Sequence, residues 1–141
     1  MNGVIDLVSE PVLQLHLVGV VLIGLAALHV IFPRYFEWRT QLASLSLINR
    51  QLMGVHTFFV AFAVLLMGGL CAVDADDLVN TRLGRHVALG FAVFWGARWF
   101  VQHFVYSSDL WRGKRFETVV HVLFSMLWGW VTIVFGWVAF R

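Results

Sequence analysis

Long apolar runs separated by short polar connections dominate the chain from residue 11 onward. Crossing about 30 Å of hydrocarbon as a helix takes roughly 20 mostly apolar residues. The pattern predicts four such helices, at about 11–32, 51–73, 84–106 and 117–140. These runs are continuous rather than alternating, so they do not suit the strands of a membrane β-barrel. The connections leave no room for a linker or a second domain. The predicted fold is therefore an all-α integral membrane protein, one four-transmembrane-helix up-down bundle spanning residues 1–141.

The first connection has a pattern of its own. Tyr35, Trp38, Leu42, Leu45 and Ile48 recur at helical spacing while Arg34, Glu37, Gln41 and Ser44 take the other faces, which predicts a short interfacial helix within 34–50. Pro33 helps to end the first span, because its ring nitrogen has no proton to donate to a continuing helix. Trp38 and Trp111 fall at one boundary and Trp137 near the other, the positions of an aromatic belt. Ala88, Ala92 and Gly96 on the third span, and Ser125 with Gly129 on the fourth, are small residues that let helix backbones approach closely within the chain.

Composition agrees with the pattern. With 60% hydrophobic and 13% charged residues, the chain carries more apolar surface than a soluble domain of 141 residues could hide. The N-terminus carries Asp6 and Glu10 instead of a basic run, so the first apolar segment reads as a retained span and not a cleaved signal. Cys71 stands alone, which excludes an internal disulfide and a cysteine-rich metal site and leaves a small packing role. The net charge of +2 does not indicate nucleic acid, since the basic residues are scattered over connections. Arg34, Arg39, Arg50, Arg112, Lys114 and Arg115 lie on one side, against Arg82, Arg85 and Arg141 on the other. That imbalance predicts an inner-membrane protein of a bacterium with both termini outside and the basic loops in the cytoplasm.

The chemistry-bearing residues form a layer. His29, His56, His103 and His121 lie on four different spans, each roughly 4–8 Å from the cytoplasmic boundary at 1.5 Å rise per residue. Imidazoles are costly in hydrocarbon, and four at one depth point to cofactor or metal ligation. His16 and His86 lie near the outer boundary, where interfacial water serves a lone histidine well. Beside His103, the residues Trp95, Arg98, Trp99, Gln102 and Tyr106 form one stripe at three- and four-residue steps; Glu117, His121, Ser125, Trp128 and Thr132 form another. Arg98 is a permanent cation inside a span and needs a partner, for which Glu117, an acidic cofactor group, a substrate carboxylate or a lipid phosphate are candidates.

Haem b is the leading cofactor expectation. Two neutral imidazoles from different helices can hold the iron axially, with His29 and His103 or His56 and His121 as diagonal pairs, while Arg98, Arg50 and Arg34 meet the propionates and Gly54 and Gly96 give the ring room. Gln102 belongs to the same cofactor-binding set. In architecture the arrangement resembles the membrane cytochromes of the b type, whose helical bundles hold haem between histidines in each leaflet. The spacing of His86 and His103 exceeds that of His16 and His29 by about 6 Å of rise, so a strict two-haem arrangement is not expected. The main competitor is a non-haem zinc, copper or iron centre built from His29, His56, His103, His121 and Glu117, acting on a lipid-like substrate. A third alternative is a noncatalytic accessory subunit of a larger membrane complex, with the intramembrane tryptophans Trp95, Trp99, Trp128 and Trp130 as its packing surface. The chain has no Gly-rich phosphate loop, no HExxH and no recognisable Ser-His-Asp motif, so no catalytic residue is assigned. The expected partners are the bilayer, a quinone or a membrane redox partner, and further subunits.

Overall fold

The computed structural model describes residues 10–141; residues 1–9, among them Asp6, lie outside the described residues. Among the described residues seven α-helices and one 3₁₀ turn follow in order: α1 (Pro11–Leu28), α2 (Phe32–Tyr35), α3 (Trp38–Gln41), α4 (Leu47–Val73), α5 (Ala75–Asn80), α6 (Arg82–Phe104), the 3₁₀ turn Ser108–Leu110, and α7 (Arg115–Ala139). No strand occurs among the described residues. α1, α4 and α7 are long and apolar enough to cross a membrane. α6 has the length, at 23 residues. Its apolar middle is flanked by polar residues at both ends, Arg82, Arg85 and His86 at one and Arg98, Gln102 and His103 at the other.

The described residues divide into two compact units, one comprising His16–Asp74 and the other Ala75–Arg141 together with residues 10–15. α1 opens on Pro11, a residue suited to a first helical turn whose N–H groups have no intrahelical acceptor. α1 ends at Leu28, before Pro33 can act. His29, Val30 and Ile31 instead donate to carbonyls three residues back, at 3.2, 3.2 and 3.0 Å, so the helix tightens as it stops. The single interfacial helix expected over 34–50 is two one-turn helices. Between α2 and α3, Glu37 adopts a left-handed conformation at φ 48°, which a continuous helix cannot contain. α1 and α4 approach closely, because a β-carbon at Gly19 would stand 2.9 Å from backbone atoms of Gly68 and Ala72. Glycine at both contact points is what permits that distance.

The second unit is built on α6 and α7, which run antiparallel. Phe91 meets Phe135 with ring centroids 5.2 Å apart, Trp95 stacks on Trp128 at 5.0 Å, and His103 meets His121 at 5.8 Å, so rising numbers on α6 pair with falling numbers on α7. Gly96 faces Thr132 and Gly129 faces the Trp99 indole, each with just enough space for one carbon contact at 3.5 Å. The small residues of these helices therefore serve packing within the chain. At the other end of α6, Thr81 caps the helix: its Oγ1 accepts from Gly84 N at 2.9 Å and donates to Asp77 O at 2.8 Å. Gly84 lies directly against the backbone of Asp77 and Leu78 in α5.

That contact has a measurable consequence. Gly84→Ala drives a methyl into backbone that cannot move aside and should destabilise the protein by about 1–3 kcal/mol or more. Gly24→Ala and Gly90→Ala, where no atom lies within 4 Å of the added carbon, should be neutral or stabilising by about 0.5–1 kcal/mol through helix propensity. Thermal unfolding in detergent followed by helical circular dichroism checks all three.

Candidate functional site

The polar residues of α6 and α7 assemble from the cation outward. Arg98 is half-buried, and its guanidinium lies over the faces of Trp128 at 5.2 Å and Tyr106 at 5.6 Å. Its Nη1 donates to Gln102 Oε1 at 3.1 Å. Gln102, one turn further along α6, is 8% exposed, and its Nε2 lies 2.8 Å from His121 Nδ1 on α7. A guanidinium can only donate, so it fixes the amide with the oxygen toward Arg98 and the NH₂ toward His121. Gln102 thus donates to His121 Nδ1, and the neutral His121 ring carries its proton on Nε2.

His103 has the opposite tautomer. Its Nδ1 lies 2.9 Å from the Trp99 carbonyl, an oxygen that can only accept, so the proton sits on Nδ1 and Nε2 keeps its lone pair. The two imidazoles meet edge to face at 5.8 Å and 62°. One presents an N–H and the other a base or ligand nitrogen. Trp111 stacks on His121 at 3.8 Å and 10°. Its carbonyl accepts from Thr118 Oγ1 at 2.8 Å, which fastens the α6–α7 connection to the first turns of α7. Trp99 Nε1 donates to Ser125 O at 3.1 Å, and Ser125 Oγ donates to His121 O at 2.7 Å.

Deeper along the pair, the indole nitrogens of Trp95 and Trp128 are buried with no hydrogen-bond partner among the described residues. By contrast Trp130 Nε1 donates to Gln14 Oε1 of α1 at 3.1 Å.

Of the four histidines expected in one layer, two meet: His103 and His121, on neighbouring helices of one unit. His29 and His56 belong to the other unit. His29 Nδ1 lies 2.8 Å from Leu25 O, the carbonyl that its own backbone N–H leaves free by bonding to Ala26. In the neutral ring the proton is therefore also on Nδ1 and Nε2 carries the lone pair. His56, His16 and His86 are exposed. Glu117 is exposed on the first turn of α7; the polar side chain that Arg98 bonds is Gln102, not Glu117. Among the described residues no group of three or more His, Cys, Asp or Glu side chains is arranged to hold a metal ion. Gly96 is covered by Thr132, whereas Gly54 has open space beside it. Arg50 donates to Ala43 O at 3.4 Å and Arg34 is exposed.

Trp111 is the site residue the pattern did not identify. Read as a boundary anchor, it carried no sign of its ring contact, because the irregular connection around it has no period from which a facing direction could be derived. No family model, curated protein or solved structure matches the chain.

The hydrogen-bond chain fixes two tautomers, and ¹⁵N spectra of histidine-labelled protein read them directly. His121 should appear as the Nε2–H form and His103 as the Nδ1–H form. Gln102→Leu should remove the fixed tautomer at His121 and cost about 1–3 kcal/mol, because it leaves the Arg98 guanidinium without its acceptor.

Proposed function

We propose that the chain is a four-span membrane redox protein that binds haem b through histidine and exchanges electrons with a quinone or a membrane partner. The fourth span in this proposal is α6. It lies antiparallel along α7, itself long and apolar enough to cross, and a helix paired with a membrane span along that length occupies the same depths. Its 23 residues extend about 34 Å at 1.5 Å per residue, which suffices for the hydrocarbon layer.

The observation that carries the haem proposal is the tether shared by His29 and His103. Each ring gives its Nδ1 proton to a carbonyl four residues back, at 2.8 and 2.9 Å, and so holds Nε2 in the state a metal requires. Ligating histidines are oriented by such a bond on the distal ring nitrogen, which also raises their basicity. His121 is not suited to this role at Nδ1, which accepts from Gln102. Donor number separates haem from the non-haem alternative. A zinc, copper or non-haem iron centre takes three or four protein ligands, and no such group exists among the described residues. Haem supplies four equatorial nitrogens itself and asks the protein for one or two.

Arg98 adds support. Only one of its five donors is used by Gln102, and the others suit a propionate. Bound haem would supply one-electron exchange; the contribution of the chain is to orient the imidazoles, meet the acidic edge and keep water away. For orientation, the excess of Arg and Lys in 33–50 and 107–116 supports a cytoplasmic position for those connections and an outer position for both termini.

Reduced-minus-oxidised visible spectra with total metal analysis test the proposal on protein expressed with ample haem precursor. Haem bands should be present, lost or shifted in His103→Ala and in His29→Ala, and retained in His56→Ala. Stoichiometric metal without haem bands would favour the non-haem centre, and neither signal would favour an accessory subunit. Orientation is checked with impermeant thiol reagents on Asp76→Cys and Lys114→Cys, with little background from the buried Cys71. Labelling from outside should reach position 76 alone.

A further inference from the structure

The unit containing α6 and α7 has a second polar feature, far along the helices from the imidazoles. A cleft of about 450 Å³ is lined by Glu10, Pro11, Val12, Asp76, Val79, Asn80, Arg85 and Arg141, a volume within the range of small-molecule sites, roughly 300–1,000 Å³. Its charged residues are balanced, two carboxylates against two guanidiniums. Among the described residues none of the four is joined in an ion pair. Arg141 lies over the Trp137 ring at 6.0 Å. Pro11 and Val79 are buried and give the cleft an apolar wall.

Position identifies the kind of ligand. Glu10, Pro11 and Val12 stand at the start of α1, Arg85 lies in the first turn of α6, and Arg141 follows the end of α7. α1 and α7 are the right length and composition to cross a membrane, so their ends fall at the depth of lipid headgroups. We propose that this cleft binds the headgroup of a phosphatidylethanolamine-type lipid. Arg85 and Arg141 take the phosphate through charge-assisted hydrogen bonds. Glu10 and Asp76 take the primary ammonium, which offers three N–H donors. The apolar wall receives the glycerol and the first methylenes of the acyl chains.

The charge pattern selects among lipids. A choline headgroup has the same formal charges but no N–H to give the carboxylates. A glycerol headgroup has the phosphate but no cation, and leaves Glu10 and Asp76 facing an anion. The site is independent of any haem at the other end of the bundle.

Native mass spectrometry of the full chain in mild detergent, with equimolar phosphatidylethanolamine, phosphatidylcholine and phosphatidylglycerol added, tests the inference. Phosphatidylethanolamine should be retained at least fivefold over each of the others. Arg85→Gln and Asp76→Asn, verified as folded by helical circular dichroism, should each erase that preference, and Arg141→Gln should weaken it. Equal retention of the three lipids by the unmodified chain overturns the inference, as does a preference that survives both Arg85→Gln and Asp76→Asn. Soluble glycerophosphoethanolamine is the control for source. Competition only at large excess supports the lipid, while binding as tight as that of the intact lipid would show a soluble zwitterion to be the ligand and overturn the lipid assignment.

Discussion

A permanent positive charge inside an apolar helix pair sets the terms for everything around it. Arg98 cannot shed its proton, and an apolar surrounding does not solvate it. The chain answers with two aromatic faces and the oxygen of a buried amide. Because the guanidinium only donates, its choice of the Gln102 oxygen propagates: the amide nitrogen must face His121, and the His121 proton must sit on the far ring nitrogen. One charge therefore orders three side chains on two helices. The tautomer of His121 follows from it, opposite to that of His103, which the Trp99 carbonyl sets.

Sequence periodicity was sufficient for the long elements and insufficient for the short ones. Helices of 18 to 27 residues leave apolar runs so long that only their ends are open to error, and those ends differ from the expected bounds by up to four residues. The 34–50 segment departed further. Its apolar positions do recur with a helical period, yet Glu37 turns left-handed between two single turns, and a pattern of side chains says little about one backbone angle. α6 illustrates a different limit: length and antiparallel pairing with α7 distinguish it from a polar surface helix, and only the pairing lies outside the reach of composition.

The site was legible along each helix and not across helices. Arg98, Gln102 and His103 fall on one stripe of α6, and His121 and Ser125 on one stripe of α7, as three- and four-residue spacing implies. Which stripes would meet depends on helix adjacency, which a single sequence does not encode. The meeting of His103 with His121 was therefore not derivable from depth alone. Glu117 has the charge to balance Arg98, but it is exposed at the first turn of α7, and Gln102, one turn from Arg98 on the same helix, needs no loop to bring it into place. The unpartnered indole nitrogens of Trp95 and Trp128 could not be anticipated at all, because whether a donor finds an acceptor is a property of packing.

The stacking of Trp111 on His121 links a connection to a ring. The Trp111 carbonyl is held by Thr118, which anchors the backbone that carries the indole to the start of α7. The stack therefore ties the plane of the His121 ring to the conformation of the α6–α7 connection, so that a rearrangement of that connection would turn the ring.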